Sequence, residues 1–186
     1  MSGKVVVNRA MSLDGFIAGP GDTMDFGGGR PLADFVDPDD LNRVAAATGA
    51  MLVGRRTWEV GERMKAEEPD SVDYPFSGPM FLLTHRPLER PNPAVSILTG
   101  DIAEAVPMAL DAAAGKDLEV LGADVAGQCL QRDLVDEILV YVLPVLLGGG
   151  IHFSSRGLPT TELEPISSTR SRDATLLRFR VRKRSV

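Results

Sequence analysis

The sequence predicts an α/β fold: a mostly parallel central sheet with helices on both faces, ending in an antiparallel pair of C-terminal strands. Three observations lead there. Short β-branched or apolar runs alternate with segments whose apolar residues recur at helical spacing, the pattern of β–α–β units. Residues 138–143 are apolar at every position, which suits a central strand covered on both faces. Residues 158–166 and 175–182 follow one another without a helical segment between them, which makes them an antiparallel pair.

Each element follows from local chemistry. Residues 4–10 form a β-branched run and the first strand. Residues 12–30 are rich in Gly, Asp and Pro and read as a long loop broken by Phe16-Ile17-Ala18; loops of this length inside a compact domain carry function. Asp37-Pro38-Asp39-Asp40 opens a helix with an Asp cap, Pro at the first position and acids in the first turn, and Leu41, Val44 and Ala45 supply its apolar face. Residues 50–53 form a buried strand that runs straight into Gly54-Arg55-Arg56-Thr57-Trp58, where a second helix starts. Residues 65–79 are a polar loop, residues 80–83 a strand ending at Thr84-His85-Arg86-Pro87, and residues 95–98 the next strand. Ile102, Val106, Leu110 and Ala113 give helical spacing over residues 101–114, with Pro107 requiring either a kink or a later start. Residues 118–121 are a strand, followed by Gly122 and a helix over 123–131. After the strand at 138–143, residues 144–150 form a loop whose Gly148-Gly149-Gly150 is either a gate over substrate or a tight turn.

Length and composition bound the function. The 186 residues suit one domain, 1–186, with 44% apolar and 25% charged residues, so neither disulfides nor metal are needed for a core. The single cysteine, Cys129, lies in an apolar pattern and reads as a small buried hydrophobe. No apolar run approaches the roughly 20 residues that cross a bilayer, and the N-terminus lacks a signal-peptide pattern, so a cytoplasmic protein without a membrane partner is expected. A net charge of −6 argues against nucleic acid as the main partner. Residues 170–186 nevertheless carry seven Lys/Arg and one acid. Leu177, Phe179 and Val181 alternate there with Arg178, Arg180 and Arg182, the mark of a half-buried strand whose arginines face water and discourage edge pairing. The two histidines, His85 and His152, are far apart and give no metal-site spacing.

Three predicted strand ends share one theme, the binding of phosphate. At Gly54-Arg55-Arg56-Thr57 a strand meets a helix N-terminus, where free N–H groups, the helix dipole and a guanidinium favour an anion. Thr84-His85-Arg86 offers a hydroxyl and a guanidinium suited to a phosphate monoester such as the 2′-phosphate of NADPH. Leu121-Gly122-Ala123-Asp124, running on to Val125, is a small-residue turn that lets a pyrophosphate approach backbone amides, although the six-residue Rossmann glycine fingerprint is absent.

Together and in order, Met11-Ser12-Leu13-Asp14-Gly15-Phe16-Ile17-Ala18, Val53-Gly54-Arg55-Arg56-Thr57-Trp58, Leu83-Thr84-His85-Arg86, Leu121-Gly122-Ala123, and Val135-Asp136-Glu137-Ile138 leading to Pro144-Val145-Leu146-Leu147-Gly148-Gly149-Gly150 resemble the dihydrofolate reductase superfamily. The branch they are most similar to is that of the RibD C-terminal domain, the reductase domain of riboflavin biosynthesis. The resemblance runs over about residues 4–182 and implies a dihydrofolate-reductase-like doubly wound sheet, NADPH as hydride donor, a small pterin- or pyrimidine-like heterocycle as substrate, and a homodimer. It implies that Gly54, Arg55, Arg56 and Thr57 hold cofactor phosphates, that Thr84, His85 and Arg86 hold the 2′-phosphate, and that Gly122, Ala123, Asp124 and Val125 line the pyrophosphate or nicotinamide side. Residues 12–18 border nicotinamide and substrate, with Asp14 either a substrate contact or the cap of its own turn.

Two positions depart from the family. Folate reductases join a glycine pair by a cis peptide where this chain has Gly122-Ala123, so either that bond is kept under strain or the phosphate site differs in detail. They also place a carboxylate in the first helix to assist protonation; Asp40 is the candidate here, and Asp37, Asp39 and Asp40 are equally explained as a cap and first-turn acids. A non-catalytic nucleotide-binding module on the same fold is the competing reading, and the deaminase half with paired zinc cysteines is absent from a chain with one cysteine.

Overall fold

The computed structural model describes residues 3–26, 30–67, 75–86, 88, 92–153, 158 and 160–184. Ten strands and five helices follow one another among them: β1 Val5–Ser12, β2 Phe16–Ala18, α1 Leu32–Phe35, α2 Pro38–Ala47, β3 Thr48–Gly54, α3 Arg55–Glu67, β4 Met80–Leu83, β5 Val95–Leu98, α4 Ile102–Ala112, β6 Asp117–Leu121, α5 Ala123–Gln131, β7 Glu137–Leu143, β8 Ile151–His152, β9 Leu163–Ser171 and β10 Ala174–Val181. Eight strands build the main sheet in the order β5-β4-β3-β6-β1-β7-β10-β9. From β5 to β7 every pairing is parallel, and β10 and β9 add the antiparallel end. The expected α/β fold is the one observed.

Burial on both faces explains the unbroken apolar runs. Ile138 and Val140 of β7, with Val5 and Val7 of β1, pack against Ile102, Val106 and Ala109 of α4 and Val125, Ala126 and Cys129 of α5. Their neighbours Val6, Leu139, Tyr141 and Leu143 point the other way, onto Phe26, Phe35 and Leu41. Period-two alternation sends successive side chains to two cores, so residues 138–143 are apolar on both faces. Asp37 caps α2 by accepting the Asp39 N–H at 2.9 Å, with Pro38 at the first helical position, as its sequence requires.

The structure corrects three local expectations and, for α4, rules out the later start. Phe16–Ala18 is a strand, pairing with β8 in a separate two-stranded sheet; β8 itself is too short to leave a pattern. The polar loop begins later than residue 65, because α3 continues to Glu67; residues 68–74 lie outside the described residues. α4 runs through Pro107, which sits on its exposed face. The ninth strand occupies Leu163–Ser171 rather than 158–166: as the sheet's edge it is exposed almost throughout, so hydrophobic alternation could not mark it.

The basic C-terminal strand is answered within the chain. Arg180 pairs with Glu164 at 3.1 Å and Arg182 with Glu162 at 3.5 Å across the β9 edge. Arg178 does not face water as its alternation suggested. It is half-buried beside a cavity between α2 and the sheet and donates to the buried Glu137 carboxylate at 2.6 Å, which Lys4 also reaches at 2.7 Å.

Candidate active site

Because β5, β4, β3, β6, β1 and β7 run the same way, their C-terminal ends lie along one sheet edge, where ligands of open α/β sheets bind. β3 and β6 are paired neighbours, and their ends meet at Gly54 and Gly122. Gly122, between β6 and α5, holds φ +93°, and a Cβ built on it would lie 2.5 Å from Thr57 Oγ1. A Cβ on Gly54 would lie 2.9 Å from Val125 Cγ2. Gly54, Thr57, Gly122 and Val125 are therefore interlocked; space demands a small residue at both glycines, and backbone conformation demands it at Gly122. The Gly122–Ala123 bond is not cis, as no described peptide bond is.

This turn fits a phosphate-bearing group. Gly122 is the N-cap of α5 and brings no side chain to its first turn, so the helix N-terminus stays open to an anion. Behind it Arg9, at 6% exposure, donates from Nη2 to the Gly122 carbonyl at 2.5 Å. Sequence reasoning passed over Arg9; the signal was a cation inside the β-branched run of the first predicted strand.

The predicted arginines are brought to the same edge, where the Arg55 and Arg56 side chains are already engaged. Arg56 holds Asp22 with Nε and Nη2 at 2.6 and 2.5 Å, and this pairing, with Asp124 nearby, keeps its guanidinium more firmly protonated. Arg55 pairs with Glu59 at 2.6 Å and donates from Nη1 to the Arg86 carbonyl at 2.9 Å, tying the start of α3 to the end of β4. The buried Thr84 hydroxyl donates to that carbonyl at 3.1 Å and accepts the Arg86 N–H at 3.2 Å, leaving the His85 and Arg86 side chains exposed on a tight turn. Pro87 lies outside the described residues.

Asp14 occupies the far end of the edge. Its carboxylate accepts from Ser12 Oγ at 2.6 Å, Gly148 N at 2.7 Å and Leu147 N at 3.1 Å. The Ser12 hydroxyl first, and the Gly148 amide next, hold its carboxyl down at about 2. Ser12 Oγ also accepts the Phe16 N–H at 3.0 Å, so two short segments are clamped together around the glycine run. His152 stacks on Phe16 with ring centroids 4.3 Å apart beside this clamp.

Asp40 faces another space. It lines a cavity of about 280 Å³ between α2 and the sheet, with Asn8, Thr48, Glu119, Ser167 and Arg178 among the other walls. A hydrogen bond with Ser171 and the nearby Arg43 hold its carboxyl below the usual range. Asp14 and Asp40 thus belong to different groups of side chains. Among the described residues no cluster of His, Cys, Asp and Glu suits a metal ion, and no helix is long and apolar enough to cross a membrane.

Comparison with known proteins gives this geometry a context. Residues 3–177 match the family described as RibD C-terminal domain. Among solved structures, a candidate riboflavin biosynthesis protein from Shewanella sp. PV-4 is 23% identical with a TM-score of 0.78, over 97% of this chain and 99% of the other. RibD of Acinetobacter baumannii is 17% identical with a TM-score of 0.67, over 97% of this chain and 58% of its own. The diaminohydroxyphosphoribosylaminopyrimidine deaminase/5-amino-6-(5-phosphoribosylamino)uracil reductase of Thermotoga maritima is 15% identical with a TM-score of 0.65, over 97% of this chain and 57% of its own. The chain therefore spans under three fifths of those two longer proteins. Comparison with curated proteins finds no match.

Proposed function

The chain belongs to the RibD C-terminal domain family, and on that premise we propose that it is an NADPH-dependent reductase that reduces a small pyrimidine- or pterin-like heterocycle, working in the cytoplasm as a homodimer. The observation that carries this reading is the interlocked turn of Gly54, Thr57, Gly122 and Val125, where two strand ends leave no space for a Cβ and an uncapped helix begins. When bound, the dinucleotide supplies the hydride.

The chain's own residues bind, orient and exclude water. Gly122, Ala123 and Asp124 bring the backbone of the α5 N-terminus to a pyrophosphate. Arg56 exchanges Asp22 for a phosphate oxygen, a change between two exposed ion pairs that costs little. Thr84, His85 and Arg86 present the β4 turn to the 2′-phosphate, and Arg55 fixes that turn through the Arg86 carbonyl. Asp14, ionised at every physiological pH, positions residues 147–148 over the substrate side instead of moving a proton. Asp40 faces the α2 cavity as the carboxylate on the first long helix.

Calorimetric titration with NADPH and with NADH tests the reading. Binding of NADPH at least about tenfold tighter than NADH is expected from the exposed Arg86 guanidinium on the β4 turn. Binding of neither overturns it. Binding without oxidation of NADPH by any pyrimidine or pterin supports the nucleotide-binding module instead.

A further inference from the structure

We propose that Arg9 is the buried cation of the anion site at the Gly122 turn, placed to balance a phosphate or pyrophosphate group at the N-terminus of α5. Naming the dinucleotide as the natural bearer of that group rests on the function proposed above; the site itself does not.

Arg9 is buried in β1, and its Nη2 donates to the Gly122 carbonyl at 2.5 Å. Among the described residues, Nε and Nη1 find no hydrogen-bond partner. The Phe153 ring stands 5.4 Å away, and the other close group is the thiol of Cys129, which burial pushes up to about 12 and so keeps uncharged. Burial lowers Arg9 itself to about 10, which still leaves it cationic at neutral pH. A buried charge without a counter-charge is destabilising, and proteins rarely keep one that nothing answers. At the same edge Arg55 is answered by Glu59 and Arg56 by Asp22, while Arg86 is exposed to water.

The position of the unbalanced charge points to its use. The Gly122 carbonyl accepts from Arg9 and, at 3.1 Å, from the Ala126 N–H in the first turn of α5. Arg9 therefore stands directly behind the open helix N-terminus, and its field adds to that of the helix dipole in a region of low dielectric. An anion in front of the turn compensates both. Arg9 acts through the turn it holds and through space, which makes it a positioning residue that also carries charge.

The test uses inorganic pyrophosphate as the probe, with thermal melts and calorimetry on wild type, Arg9→Met, Arg9→Gln and Arg9→Lys. A merely structural arginine would lower the melting temperature when removed. The proposal expects the reverse: Arg9→Met melts at or above wild type without ligand, while its Kd for pyrophosphate rises about tenfold or more. Arg9→Gln keeps a donor for Gly122 without the charge and shows the same loss, which carries the test if Arg9→Met does not fold; Arg9→Lys recovers part of the affinity. Wild-type affinity in Arg9→Gln, or no pyrophosphate binding by wild type, overturns the inference. Pyrophosphate binding without NADPH binding leaves the Arg9 site standing and removes the cofactor reading. NADPH binding that is equal in wild type and Arg9→Gln does the opposite.

Discussion

Arg56 and Asp22 are joined by two short hydrogen bonds, 2.6 and 2.5 Å, that link the first turn of α3 to the loop after β2. The pair is formed by a predicted phosphate ligand and an acid from a separate segment, so a ligand anion competes with Asp22 for the same guanidinium.

Asp22→Asn should therefore tighten NADPH binding by about three- to tenfold, because one competitor loses its charge, while Arg56→Met weakens it about tenfold. Neither change should alter stability by more than about 0.5 kcal/mol, since Arg56 is exposed. Calorimetry and urea melts check the two halves separately.

Gly122→Ala should destabilise the protein by about 1–3 kcal/mol. The residue holds φ +93° and the new Cβ meets Thr57 Oγ1 at 2.5 Å. Adding Thr57→Ala removes the collision but not the backbone strain, so the double variant should recover only part of the loss in a denaturant series. Full recovery would show that the backbone conformation is unstrained.

Asp14 gives a pH dependence of known sign. Its carboxyl is held at about 2 against an ordinary 3.8, so its ionised form is favoured in the folded state. That stabilisation is present above the unfolded value and is lost as pH falls through the folded one. Asp14→Asn should thus melt below wild type at neutral pH, and the difference should shrink between about pH 4 and pH 2. Hydrogen exchange at Leu147 and Gly148, whose amides it accepts, should speed up in the variant.

Cys129 should be silent to thiol reagents in the native protein. It is fully buried and its thiol is pushed up to about 12 by that burial, so little thiolate exists at neutral pH. Labelling should follow the rate of unfolding in denaturant; fast labelling without denaturant would mean that α5 opens locally.

The sheet was legible because its strands are short and doubly buried. In β7, the apolar run over residues 138–143 suits a central strand, and that strand sends Ile138 and Val140 to one core and Leu139 and Tyr141 to the other. α2 was legible from Asp37 and Pro38, whose chemistry is local to a single turn. The edge strand β9 was not legible, because an exposed edge selects for polarity and breaks the alternation that marks a strand. β8 was lost for a different reason: two residues carry no period.

By itself, the sequence determined the α/β class, the mostly parallel character of the sheet, and the three strand ends that carry small or cationic residues. These follow from periodicity, capping and glycine chemistry, which act over a few residues. Tertiary structure alone decided which charges meet. Asp22 reaches Arg56 from 34 residues away, Glu137 draws Arg178 off the water-facing side from 41, and Arg9 arrives behind Gly122 from 113. Coulomb attraction and burial depend on distance in space, and chain separation does not report that distance.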